Sequence, residues 1–192
     1  MAKKRVLLPL PTGTINGHYW VDLGLPSALK WATCNVEASQ PHQYGNYYAW
    51  GETTIKTEYT PENSVVYNRQ ISDISGNSTY DVARAKWGGS WRIPTKTEML
   101  ELINNCTWTW ITQNGINGMK VVESNGNSIF LPAASLFYGA SQYSVGENGS
   151  YWTSIPYRNN SGSIYVLDFK NGIYNVNWCA IYYGFTVRPV SN

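Results

Sequence analysis

Apolar and polar residues alternate with period two over many short stretches of this chain, and only twice does the spacing become helical. Tyr19-Trp20-Val21-Asp22-Leu23 alternates as a strand does, residues 24–27 make a turn, and 29–36 follow as a second strand. Residues 1–17, rich in Pro, Gly and Thr, read as an N-terminal arm, and a regular domain spans 18–192. Tyr44, Tyr47, Tyr48 and Trp50 form an aromatic patch expected to pack under a loop. Residues 52–78 carry little period and many turn residues, and so read as a long surface loop.

Both helices announce their starts. Asp81 is placed to cap a short helix over 81–86. After Pro94, Thr95-Lys96-Thr97-Glu98 has the spacing of a capping box, in which side chains at both ends of the first turn satisfy orphan backbone N–H groups. Met99, Leu100, Leu102 and Ile103 give that second helix an apolar face, and Asn104-Asn105 stop it. Beyond Cys106 the pattern predicts strands at 107–112, 119–123, 128–131, 151–154, 163–169, 174–177 and 185–190. Helices early and strands late, without alternation between them, argue for an α+β fold rather than α/β. In the strand 163–169, Tyr165, Leu167 and Phe169 share one side, read as the core side. Ile164, Val166 and Asp168 share the other, which places Asp168 toward a ligand surface.

Composition narrows the function. From Tyr138 to Phe185 the chain holds eight tyrosines but only four charged residues, Glu147, Arg158, Asp168 and Lys170. Tyr and Trp supply rigid amphipathic contact area, and Asn, Ser and Gly supply adaptable hydrogen bonds, so this is a composition suited to recognition. The same residues also suit an ordinary Tyr-rich β-domain with polar loops. A formal charge of +2, with Lys3, Lys4 and Arg5 at the terminus, leaves no basic stripe and argues against nucleic acid as a partner. The apolar run after Arg5 is too short for a secretory signal, and no stretch approaches the roughly 20 apolar residues of a membrane span. Cys34, Cys106 and Cys179 are widely separated, and neither His18 nor His42 has ligand spacing to them, so no disulfide framework, metal site or cofactor is expected. No acid–base pair or activated nucleophile stands in a motif; Glu98 and Glu101 read as a cap and a solvated face.

Several separated strings carry a resemblance. Trp20-Val21-Asp22-Leu23-Gly24-Leu25-Pro26-Ser27, Leu29-Lys30-Trp31-Ala32-Thr33-Cys34-Asn35-Val36 and Tyr44-Gly45-Asn46-Tyr47-Tyr48-Ala49-Trp50-Gly51-Glu52-Thr53 are similar to the opening of bacterial C-type-lectin-fold domains, the Fibrobacter-type major paralogous domains. Trp87-Gly88-Gly89-Ser90-Trp91-Arg92-Ile93-Pro94-Thr95, Asn127-Ser128-Ile129-Phe130-Leu131-Pro132, Tyr151-Trp152-Thr153-Ser154 and Gly184-Phe185-Thr186-Val187-Arg188-Pro189-Val190 continue it. The resemblance implies antiparallel sheets with two helices, terminal strands brought together, and a long irregular region displaying the ligand site. Within that class the chain resembles the variable proteins of diversity-generating retroelements, in which adenines of the C-terminal coding region are randomised. Trp178, Cys179, Ala180, Ile181 and Tyr183 stand where related domains often carry Asn or Arg. Cys, Ala, Ile and Tyr are reachable from an Asn codon by changing its adenines. A core strand is the alternative reading of 178–183.

The expected ligand-binding residues, within a variable region of about 137–185, are Phe137, Tyr138, Tyr143, Tyr157, Arg158, Asn159, Asp168, Tyr174, Asn175, Asn177, Trp178, Cys179, Ala180, Ile181 and Tyr183. The resemblance implies a macromolecular partner, a protein favoured over a glycan, and a cell-surface or virion location; it leaves oligomeric state open. Calcium-dependent lectins need a carboxylate cluster that is missing around Tyr174-Asn175-Val176-Asn177-Trp178, so no metal is expected. Formylglycine-generating enzymes share the fold but need a reactive cysteine pair. An invariant adhesion module of the same fold is the alternative function, and an enzyme the weakest.

Overall fold

A computed structural model describes residues 11–159 and 162–192. In chain order the elements are β1 (Gly13–Ile15), β2 (His18–Asp22), β3 (Lys30–Ala32), α1 (Val82–Trp87), α2 (Lys96–Asn105), β4 (Thr107–Gln113), β5 (Ile116–Val122) and β6 (Ser128–Pro132). They continue with β7 (Leu136–Tyr138), β8 (Ser141–Tyr143), β9 (Asn148–Pro156), β10 (Ser163–Lys170), β11 (Ile173–Ala180) and β12 (Val190–Ser191). The named strands pair antiparallel in four sheets, ordered β1-β2-β3-β12, β4-β5-β6, β11-β10-β9 and β7-β8. With two helices on mostly antiparallel sheets, the fold class is α+β.

Both helix starts form as the side chains dictate. Asp81 accepts hydrogen bonds from the N–H groups of Ala83 and Arg84, and Thr95 and Glu98 close their capping box. Glu98 also takes a two-pronged hydrogen bond from the Arg92 guanidinium, at 2.8 and 2.7 Å. Glu101 is more than a solvated residue: its carboxylate accepts from the backbone N–H and the hydroxyl of Ser27, tying α2 to the turn after β2.

Several expectations are refined. Residues 13–15 of the expected arm form β1, because Asn16 and Gly17 (φ 48° and 82°) make the two-residue turn that suits a hairpin; positions 1–10 of the arm lie outside the described residues. The segment 52–78 is irregular and mostly at the surface, but Glu52, Tyr59, Val66 and Ile74 are buried and anchor it. Residues 185–190 do not form one strand. Phe185 bonds Tyr48, Val187 bonds Val36, Pro189 bonds Ala32, and Val190 bonds Arg92, so the segment is shared among several partners.

Two main cores result. One gathers Val21 and Trp31 from the first sheet, Leu23 just after β2, Met99 and Leu102 from α2, Met119 and Leu131 from β5 and β6, and Leu167 and Phe169 from β10. The other gathers Tyr48, Trp50, Val66, Ile74, Val82, Trp152, Ile164, Val166 and Phe185. Strand β10 runs between them and contributes core residues from both faces. The side assigned outward therefore carries two core residues, Ile164 and Val166, beside Asp168. Tyr165, assigned to the core, is only half-buried.

Candidate ligand surface

Strands β10 and β11 form a hairpin in continuous register, from Ser163 opposite Ala180 to Lys170 opposite Ile173. Because successive side chains point to opposite faces, this register splits the expected contact residues into two groups. Asp168, Asn175, Asn177 and Cys179 share one face. Tyr174, Trp178 and Ala180 share the other, where Tyr174 stacks on Trp108 at 4.9 Å and half-buries itself against the first core.

The first face opens into a cavity of about 300 Å³. Its lining joins Asp168, Lys170, Asn175, Asn177 and Cys179 to Ser150 of β9, Leu136 of β7, and Tyr183 and Phe185 beyond β11. Asp168 is half-buried. Burial pushes its carboxyl above the ordinary aspartate range, against hydrogen bonds from Ser150 and Asn177 that pull it down. The Asn177 amide donates to Asp168 Oδ2 at 3.2 Å. Burial, reinforced by the Asp168 charge, pushes the Cys179 thiol well above its ordinary value. That direction disfavours the thiolate form. At the cavity rim, the β7–β8 hairpin is tied down by paired backbone hydrogen bonds between Phe137 and Gly184, at 2.9 and 3.0 Å. It displays Tyr138 and Tyr143, each about half exposed (46% and 47%). Tyr138 meets Tyr183 edge-on at 5.4 Å.

The second face carries an aromatic strip. Trp178, 57% exposed, stacks on Tyr157 at 5.2 Å, and Tyr157 meets Tyr165 edge-on at 5.1 Å. Arg158 lies over the Tyr157 ring and Lys96 over the Tyr165 ring, at 5.1 and 4.0 Å.

One expected contact does not reach either surface: Ile181 is 1% exposed and belongs to the second core, in the turn that follows β11. Phe137 is half-buried, its ring 4.8 Å from Tyr47 and 5.6 Å from Tyr59. The Asn159 side chain lies outside the described residues. Sequence reasoning missed Ser150, Leu136 and Lys170. Lys170 was accessible by counting two from Asp168. Ser150 faces Asp168 only through the β9–β10 register, which no local pattern reveals.

Among the described residues no group of three His, Cys, Asp or Glu side chains could hold a metal ion, and no helix is long and apolar enough to cross a membrane. All three cysteines are free. Comparison of the chain with protein-family models, curated proteins and solved structures gives no significant match.

Proposed function

We propose that this protein is a non-catalytic ligand-binding protein of the C-type-lectin fold, displayed on a cell or virion, with a C-terminal surface diversified by a retroelement. The observation that carries the reading is β11. It is an edge strand whose backbone is paired with β10 at every position, while Asn175, Asn177 and Trp178 stand exposed. Main-chain pairing does not depend on side-chain identity, so these positions can change while the strand stays in place. A surface built for variation needs this separation of scaffold from contact residues.

Other features support the same reading. The C-terminal β12 pairs with β3, as expected of a fold that brings its terminal strands together. Asn175 and Asn177 are of the residue type whose codons begin with two adenines, the bases such a retroelement would change. Aromatic anchors flanked by amide side chains suit a protein partner better than a calcium-bound sugar, which would need carboxylates. No catalytic step or cofactor enters the proposal.

Sequencing a few kilobases around the source gene tests it. The expected result is a near-identical copy of the segment encoding roughly 151–190, differing only opposite adenines and lying near a reverse-transcriptase gene. Absence of any such copy would defeat diversification and leave a fixed adhesion surface.

A further inference from the structure

Asp168 and Lys170 share the cavity, yet no ion pair joins them. They stand two residues apart on β10, hence on one face, about 6.5–7 Å apart along the strand. Among the described residues the ion pairs are Lys56–Glu52 and Arg92–Glu98. Among the described residues the groups that hydrogen-bond Asp168 are neutral, Ser150 and Asn177. A half-buried carboxylate in that state gains from a cation delivered to it, because solvent is partly excluded and the attraction poorly screened. Lys170, at the exposed end of the strand, offers three N–H donors to an anion. Leu136 and Phe185 line the same cavity with apolar surface.

We propose that this cavity takes a zwitterionic group, with its positive centre on Asp168, its negative centre on Lys170, and its apolar part against Leu136 and Phe185. A purely cationic ligand meets the like charge of Lys170, and a purely anionic one that of Asp168. Only a ligand bearing both signs within a few ångströms gains at both ends. The volume of about 300 Å³ is at the small end of ligand cavities, matching a free amino acid or an adjacent pair of oppositely charged side chains on a polypeptide. This inference rests on the reading of the β10–β11 face as a ligand surface.

The test is a titration of the ¹⁵N-labelled protein, followed by NMR at the amides of residues 149, 150, 168, 175 and 177. The probes are L-leucine (both charges), leucinamide (cation only), N-acetyl-leucine (anion only) and the end-blocked dipeptide N-acetyl-Lys-Glu-amide. Leucine or the dipeptide is expected to bind at least tenfold tighter than either single-charge probe, and which of them does so identifies the source of the group. Asp168→Asn and Lys170→Met should each weaken that binding about tenfold, with the rest of the spectrum unchanged. Equal binding of leucinamide or N-acetyl-leucine overturns the zwitterion assignment and leaves the ligand-surface reading standing. Silence from every probe also overturns it, while the template search decides diversification independently.

Discussion

Arg188 is fully buried and has no carboxylate partner among the described residues. Its Nε donates to Asn35 Oδ1 at 2.8 Å, Nη1 to the Ala32 carbonyl at 3.2 Å, and Nη2 to the Phe130 carbonyl at 2.9 Å. One side chain therefore stitches the C-terminal segment to β3, β6 and the loop after β3. Asn35 in turn donates to Tyr44 O and to the Tyr151 hydroxyl, which donates to the Pro132 carbonyl. Burial pulls the guanidinium pKa down, but an arginine remains charged in proteins. Arg188→Met keeps an unbranched chain in the space and orphans three buried acceptors, at a cost of about 1–3 kcal/mol each. Removing the buried charge offsets several kcal/mol of that sum, and a net loss of about 3 kcal/mol is expected. For a chain of this length that loss lowers Tm by roughly 10 °C. Urea titration followed by tryptophan fluorescence measures it, with an unchanged m value showing that the denatured state is the same. Stability of Arg188→Met within about 1 kcal/mol of the parent would refute the assignment of Arg188 as the stitch.

Further outcomes follow from the same geometry. Asp81 accepts from four backbone N–H groups, at Gly76, Ala83, Arg84 and Ile93, so Asp81→Ala should lose about 3–5 kcal/mol by thermal denaturation, with Asp81→Asn intermediate. A loss below about 1 kcal/mol from Asp81→Ala would mean that water replaces the carboxylate. Gly149→Ala would set a Cβ 2.0 Å from the Phe169 ring across the β9–β10 pair; a loss of about 1–3 kcal/mol is expected, and a neutral result would show that the ring can move aside. Burial alone would raise the Glu98 pKa, but its hydrogen bonds from Arg92 and Thr95 outweigh that and lower it. Its stabilising contribution is therefore complete above the ordinary glutamate value of about 4.3 and is lost as pH falls through the lower folded value. Glu98→Gln should flatten the stability profile below about pH 4.5, and an unaltered acid limb would count against the pair. Combined alanines at Asn175, Asn177 and Trp178 should cost less than about 1.5 kcal/mol in a thermal melt, because all three are exposed; a much larger loss would show that the strand depends on them.

Local chemistry made much of this chain legible. Asp81 and the Thr95/Glu98 box fixed where both helices begin, because capping satisfies backbone donors within one turn and needs no distant partner. Period-two alternation found β4, β5, β6, β9, β10 and β11 to within a few residues. The Asn16-Gly17 turn is equally local, so β1 is legible in the sequence too. Tertiary structure decided the rest. Whether Ile181 is a contact or a core residue, and whether Val66 and Ile74 lie on the surface or under it, depends on which segments cover them. The cavity exists because β9 sets Ser150 opposite Asp168 and β7 brings Leu136 to the rim, pairings between positions far apart in the chain. Arg188 looks like an ordinary strand cation in sequence; only the convergence of Ala32, Asn35 and Phe130 around it makes it a buried stitch. Periodicity specifies a residue's side of a strand, but the packing of other elements determines what that side faces.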